Sequence, residues 1–311
     1  MEGSPEDPAP RHPRDAPHGG NVKRRLPTLY DAVSFFKLGI VVPNVLAALS
    51  GFWMARPAVA LDGAAGSPYW AGAVRLAVGS ALTIGGACAF NNCLDRDLDA
   101  RMERTRNRPV ASGRFGVASA SFLASLASIA GMLILAYSSP LAALIGLAGA
   151  FIYLVPYTLF MKRKSSLSSL VGALAGSAPP LMGWAMATGN LSPTAWALFG
   201  TIGLWQQAHT LALFLRRSED FRRGGLPSPV RKLGAGGIRI TVALVVALLP
   251  APLWLAMGVS RLFGLSAALS VPWLALCWLP LAGGRVAWAR RMYEASLAWI
   301  VLFLLASLIC S

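Results

Sequence analysis

From residue 38 to the C-terminus one pattern recurs: about 20 mostly apolar residues, nearly free of Asp, Glu, Lys and Arg, then a short break. Runs of that length match the hydrocarbon thickness of a bilayer, where backbone groups find no partners outside their own segment. Helices are therefore required. With 55% hydrophobic and 13% charged residues over 311 positions, a soluble globule would lack the polar surface to cover itself. The expected fold class is all-α, a polytopic membrane bundle of about nine transmembrane helices.

The predicted spans are 34–55, 70–94, 116–137, 140–160, 167–188, 193–215, 239–258, 263–282 and 293–310, with Pro140, Pro193 and Gly258 marking tight links. Residues 1–28, rich in Pro, Gly and charge and without an apolar core, read as a disordered cytoplasmic tail; residues 29–311 form the membrane domain. Basic residues crowd the even-numbered loops: Arg96 to Arg114 after the second span, Lys162, Arg163 and Lys164 after the fourth, another cluster after the sixth, and Arg285, Arg290 and Arg291 after the eighth. The opposite side offers Arg56, Arg75 and Arg261. This bias places the N-terminus in the cytoplasm and the C-terminus outside, in a cell inner membrane. It also accounts for the net charge of +15 by topology, with no nucleic acid as a partner. Cys88, Cys93, Cys277 and Cys310 form no CxxC pair or zinc pattern and read as small core residues.

Acidic residues are scarce from residue 31 onward, and most fall in two places: Asp95, Asp97, Asp99 and Glu103 after span 2, Glu219 and Asp220 after span 6. Asn91, Asp95 and Asp99 are spaced i, i+4, i+8 and form one helical stripe, with Asp97 pointing the other way. Carboxylates one turn apart repel unless a cation lies between them, and hard oxygen ligands suit a magnesium ion that also binds phosphate oxygens. Arg104, Arg106 and Arg108 follow on, and Lys162 and Arg163 can approach from the next loop, which describes a diphosphate site. Such a run also reads as a solvated helix face neutralised by its arginines; the extension of the stripe to Asn91 inside the span favours function. Asp97 and Glu103 read as surface ion pairs. His209 stays open between a packing residue and a ligand, with Gln206 on the same helical side and Trp205 and Gln207 as bundle packing. Pro179 and Pro180 are expected to break or kink span 5 and free carbonyls toward the interior.

At Asn91, Asp95 and Asp99, followed by Arg104, Thr105, Arg108 and Pro109, the sequence resembles the UbiA superfamily of intramembrane prenyltransferases, and within it the branch that farnesylates protohaem IX. The similarity continues through 157–184 and 204–221. The chain departs from the pattern at Leu38, Ala208 and Thr210, and its GLPSPV segment (225–230) is one residue short. The resemblance implies a cytoplasm-facing central cavity, magnesium as cofactor held by Asn91, Asp95, Asp99 and Asp220, and farnesyl diphosphate bound by Arg104, Arg108, Lys162 and Arg163. It further implies that His209 and Gln206 bind haem B, whose vinyl group accepts the farnesyl chain, and that other proteins of haem or terminal-oxidase biogenesis are partners.

Two other functions fit parts of the sequence. Transfer to the aromatic ring of a quinone precursor is disfavoured because Asp220 is followed by Phe221, Arg222, Arg223 and Gly224, with no second D-x-x-x-D pair. A transporter is disfavoured because no inverted repeat is visible and both acidic clusters fall on one side.

Overall fold

The computed structural model describes residues 28–55, 69–258, 260–279 and 283–310; the expected tail up to residue 27, Arg56 and the side chain of Cys310 lie outside them. Every regular element among the described residues is helical. In chain order these are α1 (Leu29–Phe36), α2 (Leu38–Met54), α3 (Tyr69–Leu94), α4 (Arg96–Arg101), α5 (Val117–Ser138), α6 (Pro140–Ile152), α7 (Ser168–Gly176), α8 (Ala178–Thr188), α9 (Pro193–Arg216), α10 (Ser218–Arg223), α11 (Pro229–Leu248), α12 (Ala251–Met257), α13 (Arg261–Trp278) and α14 (Gly284–Cys310). A π-helix, Tyr153–Met161, extends α6. Helix starts follow elementary capping: Ser139, Ser192 and Ser228 each accept an N–H of the next turn while a proline holds the first helical position.

Seven helical stretches are long and apolar enough to cross a bilayer, and α1 with α2, bent by 56°, makes eight. The remaining predicted span, the sixth, is α9; it is 24 residues long but carries Gln206, Gln207 and His209 in its middle and falls short on apolarity. Helices α11 and α14 begin at Pro229 and Gly284, about ten residues before the predicted spans. Arg285, Arg290 and Arg291 ride on helical turns that overrun the apolar segment, where the sequence suggested loop, while Arg231 and Lys232 lie on a turn set off from the rest of α11 by a kink at Gly234 with φ 66°.

Span 5 breaks as its prolines require, at Ser177, between α7 and α8. Pro179 and Pro180 withhold the N–H groups that would bond Ala175 O and Gly176 O, and the Ser177 hydroxyl donates to Ala173 O at 2.7 Å. The break lets α8 lie tightly on α2, where a Cβ on Gly183 would meet Ala48 O at 1.8 Å. Only a glycine permits that approach. The largest apolar cluster gathers α9, α11, α13 and α14 around Leu215, Ile238, Trp288 and Met292, while the end of α3 meets the π-helix beyond α6 around polar side chains.

Candidate functional site

The chain turns at Asp95 between α3 and α4, where Arg163 caps the Leu94 carbonyl at 2.9 Å, but the bonds along the stripe persist: Asp95 N donates to Asn91 O at 2.9 Å and Asp99 N to Asp95 O at 2.8 Å. The i, i+4, i+8 period therefore holds. Asn91, Asp95 and Asp99 are 1–2% exposed, and Asp97 on the other face is exposed. Asn91 Nδ2 donates to Asp95 Oδ2 at 2.8 Å and to the Thr158 hydroxyl at 3.0 Å. Its Oδ1 accepts the ammonium of Lys37. Lys37 sits at the bend between α1 and α2 with φ 52°, a left-handed conformation that side chains other than glycine rarely adopt.

Each buried carboxylate has its own cation. Lys162 Nζ donates to Asp95 Oδ2, and Arg108 pairs with Asp99 at 2.8 Å while also reaching Asn92 Oδ1 at 3.2 Å. Arg163 forks onto Asp97 at 2.7 and 2.8 Å and stays 3.9 Å from Asp95. That fork holds the Asp97 carboxyl below its ordinary range. Asp97 thus takes the surface ion-pair role expected of it. Arg104 is exposed, within electrostatic reach of Arg108, Arg217, Asp99 and Asp220.

The second acidic cluster belongs to the same end of the bundle. Glu103 and Arg223 pair at 3.1 Å, and Phe221 and Leu226 pack on Leu98 and Met102. With the Arg163–Asp97 pair, this ties three loops together. Asp220, however, faces Arg217 on its own turn at 3.6 Å. Among the described residues no three His, Cys, Asp or Glu side chains converge to hold a metal, so the expected four-residue ligand set is not assembled as one cage. The carboxylates have turned to separate cations instead.

The donors present nevertheless fit a magnesium ion that takes its remaining ligands from phosphate. Asp95 Oδ1 is buried with no hydrogen-bond partner, an acceptor whose isolation is costly in a low-dielectric site. Asn91, with Oδ1 occupied by Lys37, here positions Asp95.

His209 makes its contacts with α14. Its Nδ1 lies 2.7 Å from Ser296 Oγ, and its ring lies against Trp205 at 5.1 Å and Tyr293 at 4.7 Å. Trp205 Nε1 donates to Ser296 O at 2.7 Å, and Arg216 stands over Tyr293 at 4.7 Å. Gln206 lies against Gly176 of α7, and Gln207 Nε2 donates to Ser169 O at 2.7 Å. Sequence reasoning missed Lys37, Thr158, Tyr293 and Ser296 as neighbours of the candidate residues. Only Lys37, an isolated charge between Phe36 and Leu38, carried a signal that could have exposed it.

A buried Asn-Asp-Asp stripe at one end of a membrane helix bundle, ringed by lysine and arginine, defines a membrane-embedded enzyme for an anionic, phosphate-bearing substrate. The chain belongs to the UbiA prenyltransferase family, whose pattern matches residues 45–308, and it is a prenyltransferase. Similar proteins include the Protoheme IX farnesyltransferase of Alkalihalophilus pseudofirmus, 37% identical over 88% of this chain and 88% of the relative. Protoheme IX farnesyltransferase 2 of Bacillus subtilis is 32% identical over 90% of this chain and 91% of its own. The fold is also that of a UbiA homolog from Archaeoglobus fulgidus bound to GPP and Mg2+, with TM-score 0.69 at 13% identity over 90% of this chain and 99% of that one. A UbiA homolog from Aeropyrum pernix K1 matches with TM-score 0.66 at 20% identity over 86% and 96%.

Proposed function

We propose that this protein transfers a farnesyl group from farnesyl diphosphate to a vinyl group of haem B, giving haem O. The observation that carries the reading is the buried stripe with Asp95 Oδ1 left without a hydrogen-bond partner beside Lys162, Arg108 and Lys37. The relatives called Protoheme IX farnesyltransferase support the choice of donor and acceptor.

Asp95 and Asp99 would hold magnesium, with Asn91 orienting Asp95 and Asp220 near the outer phosphate. When bound, the ion supplies Lewis-acid neutralisation of the diphosphate. Arg108, Lys162, Arg163 and Arg104 bind the same oxygens and balance the charge that grows on them. The allylic C–O bond breaks with its electron pair leaving on the diphosphate, and the farnesyl cation adds to the vinyl carbon. Water adds to the cation left on the side chain and loses a proton, completing a hydroxyethylfarnesyl group. Binding beneath the joined loops excludes bulk water from the first cation. His209 and Gln206 orient the porphyrin from α9. The end of the bundle that carries the stripe faces the cytoplasm of an inner-membrane protein, as the crowding of basic residues there supports.

The test is turnover by purified protein in detergent with farnesyl diphosphate, haem B and magnesium, read by mass spectrometry. Haem O formed by the wild type and lost with chelator supports the reading. Farnesylation of a hydroxylated aromatic acid in place of haem would overturn it.

A further inference from the structure

The imidazole of His209 is connected to α14 in a way that determines which of its nitrogens carries a proton. Ser296 Oγ lies 2.5 Å from Tyr293 O and 2.7 Å from His209 Nδ1. A carbonyl cannot donate, so the hydroxyl proton must lie on the line to Tyr293 O. Serine has only one such proton. The second contact therefore needs its proton on Nδ1, with Ser296 Oγ accepting, and a neutral imidazole then has its lone pair on Nε2. Ser296 is fully buried, and its own carbonyl accepts from Trp205 Nε1 at 2.7 Å, so α14 grips two successive turns of the same face of α9. Among the described residues Nε2 has no hydrogen-bond partner.

We propose that Ser296 is a positioning residue that fixes His209 as the Nδ1–H tautomer, so that Nε2 offers its lone pair to the iron of the haem acceptor. The inference rests on haem B as the acceptor and His209 as its ligand. It assigns α14, which shares no residue with the carboxylate stripe, a part in acceptor binding. Groups that orient a ligating histidine through its other nitrogen influence iron affinity through the ligand alone.

The experiment titrates purified full-length protein with ferric haem B and follows the haem absorbance for wild type, Ser296→Ala, Ser296→Thr, His209→Ala and the double variant His209→Ala/Ser296→Ala. Ser296→Ala should weaken haem binding about 10- to 100-fold, and Ser296→Thr, which keeps the hydroxyl, should restore it. In the His209→Ala background, Ser296→Ala should add nothing, because Ser296 acts through the imidazole. Magnesium-dependent binding of a farnesyl diphosphate analogue should be the same in every variant. Wild-type haem affinity in Ser296→Ala, or an equal further loss on adding it to His209→Ala, overturns the positioning role while leaving His209 as the ligand. Normal haem affinity in His209→Ala overturns both. Should Ser296→Ala fail to fold, Ser296→Cys, a poor acceptor of similar size, takes its place in the same cycle.

Discussion

The guanidinium of Arg108 lies 2.8 Å from the carboxylate of Asp99, reaching back nine positions along the chain to neutralise a charge that is 2% exposed. A buried charge deprived of its partner costs far more than the pair itself contributes. Arg108→Ala should therefore lower the melting temperature of the detergent-solubilised protein as well as its turnover. Adding Asp99→Asn should recover stability without activity. If the double variant melts as low as Arg108→Ala alone, the pair is not what holds this turn.

Asp95→Asn and Asp99→Asn should each reduce turnover about 100-fold or more, the scale of losing a metal ligand that neutralises a leaving group. Asp97→Asn should cost far less, because its fork with Arg163 is a surface ion pair. Equal losses in all three would remove the distinction between the buried and exposed faces of the stripe.

The ion pairs that Glu219 makes along α10 should be insensitive to pH in the working range. Arg222 and Arg223 hold Glu219 down at about 2 against an ordinary 4.5. A carboxyl lowered on folding stabilises fully above its unfolded value and loses that effect as pH falls through the folded one. The difference in melting temperature between wild type and Glu219→Gln should stay constant from pH 5 to 8 and shrink between pH 4.5 and 2. A difference that changes between pH 6 and 8 would point to another group.

Cysteines introduced at Ser165 and Arg223 should react with an impermeant thiol reagent from the same side of the membrane, and one at Gly189 from the other. The native thiols at Cys88, Cys93 and Cys277 are buried, and Cys310 would be replaced beforehand. Labelling of Ser165 and Arg223 from opposite sides would contradict the shared end that Arg163–Asp97 and Arg223–Glu103 define.

Gly183→Ala should destabilise the fold by about 1–3 kcal/mol or more, since the added methyl meets the backbone of Ala48. A melting temperature equal to wild type would mean that α2 and α8 can part freely.

Much of this architecture is legible in the sequence because bilayer thickness and the 3.6-residue period leave little freedom. The stripe of Asn91, Asp95 and Asp99 follows from spacing alone and lies buried as that spacing predicts. Its partners are another matter. Lys37 reaches Asn91 from a left-handed turn inside what reads as one unbroken span, and Ser296 reaches His209 from an apolar helix in which a small hydroxyl residue carries no signal. Asp220 reads as a companion of the other carboxylates, yet Arg217 on its own turn holds it at 3.6 Å. Such pairings depend on tertiary placement, which a linear pattern does not encode.

The π-helix of Tyr153–Met161 has its meaning in length. Within it the Thr158 hydroxyl donates to Tyr153 O five residues back and accepts from Asn91, and just beyond it Lys162 meets Asp95. A π turn holds an additional residue, so everything after it is rotated by roughly 100° relative to an uninterrupted α-helix. Deleting any one residue there would let the segment close into ordinary α-helix and swing Lys162 off the stripe. The segment should accept apolar exchanges freely and tolerate no change in residue number, so related chains with different side chains here should still keep its length.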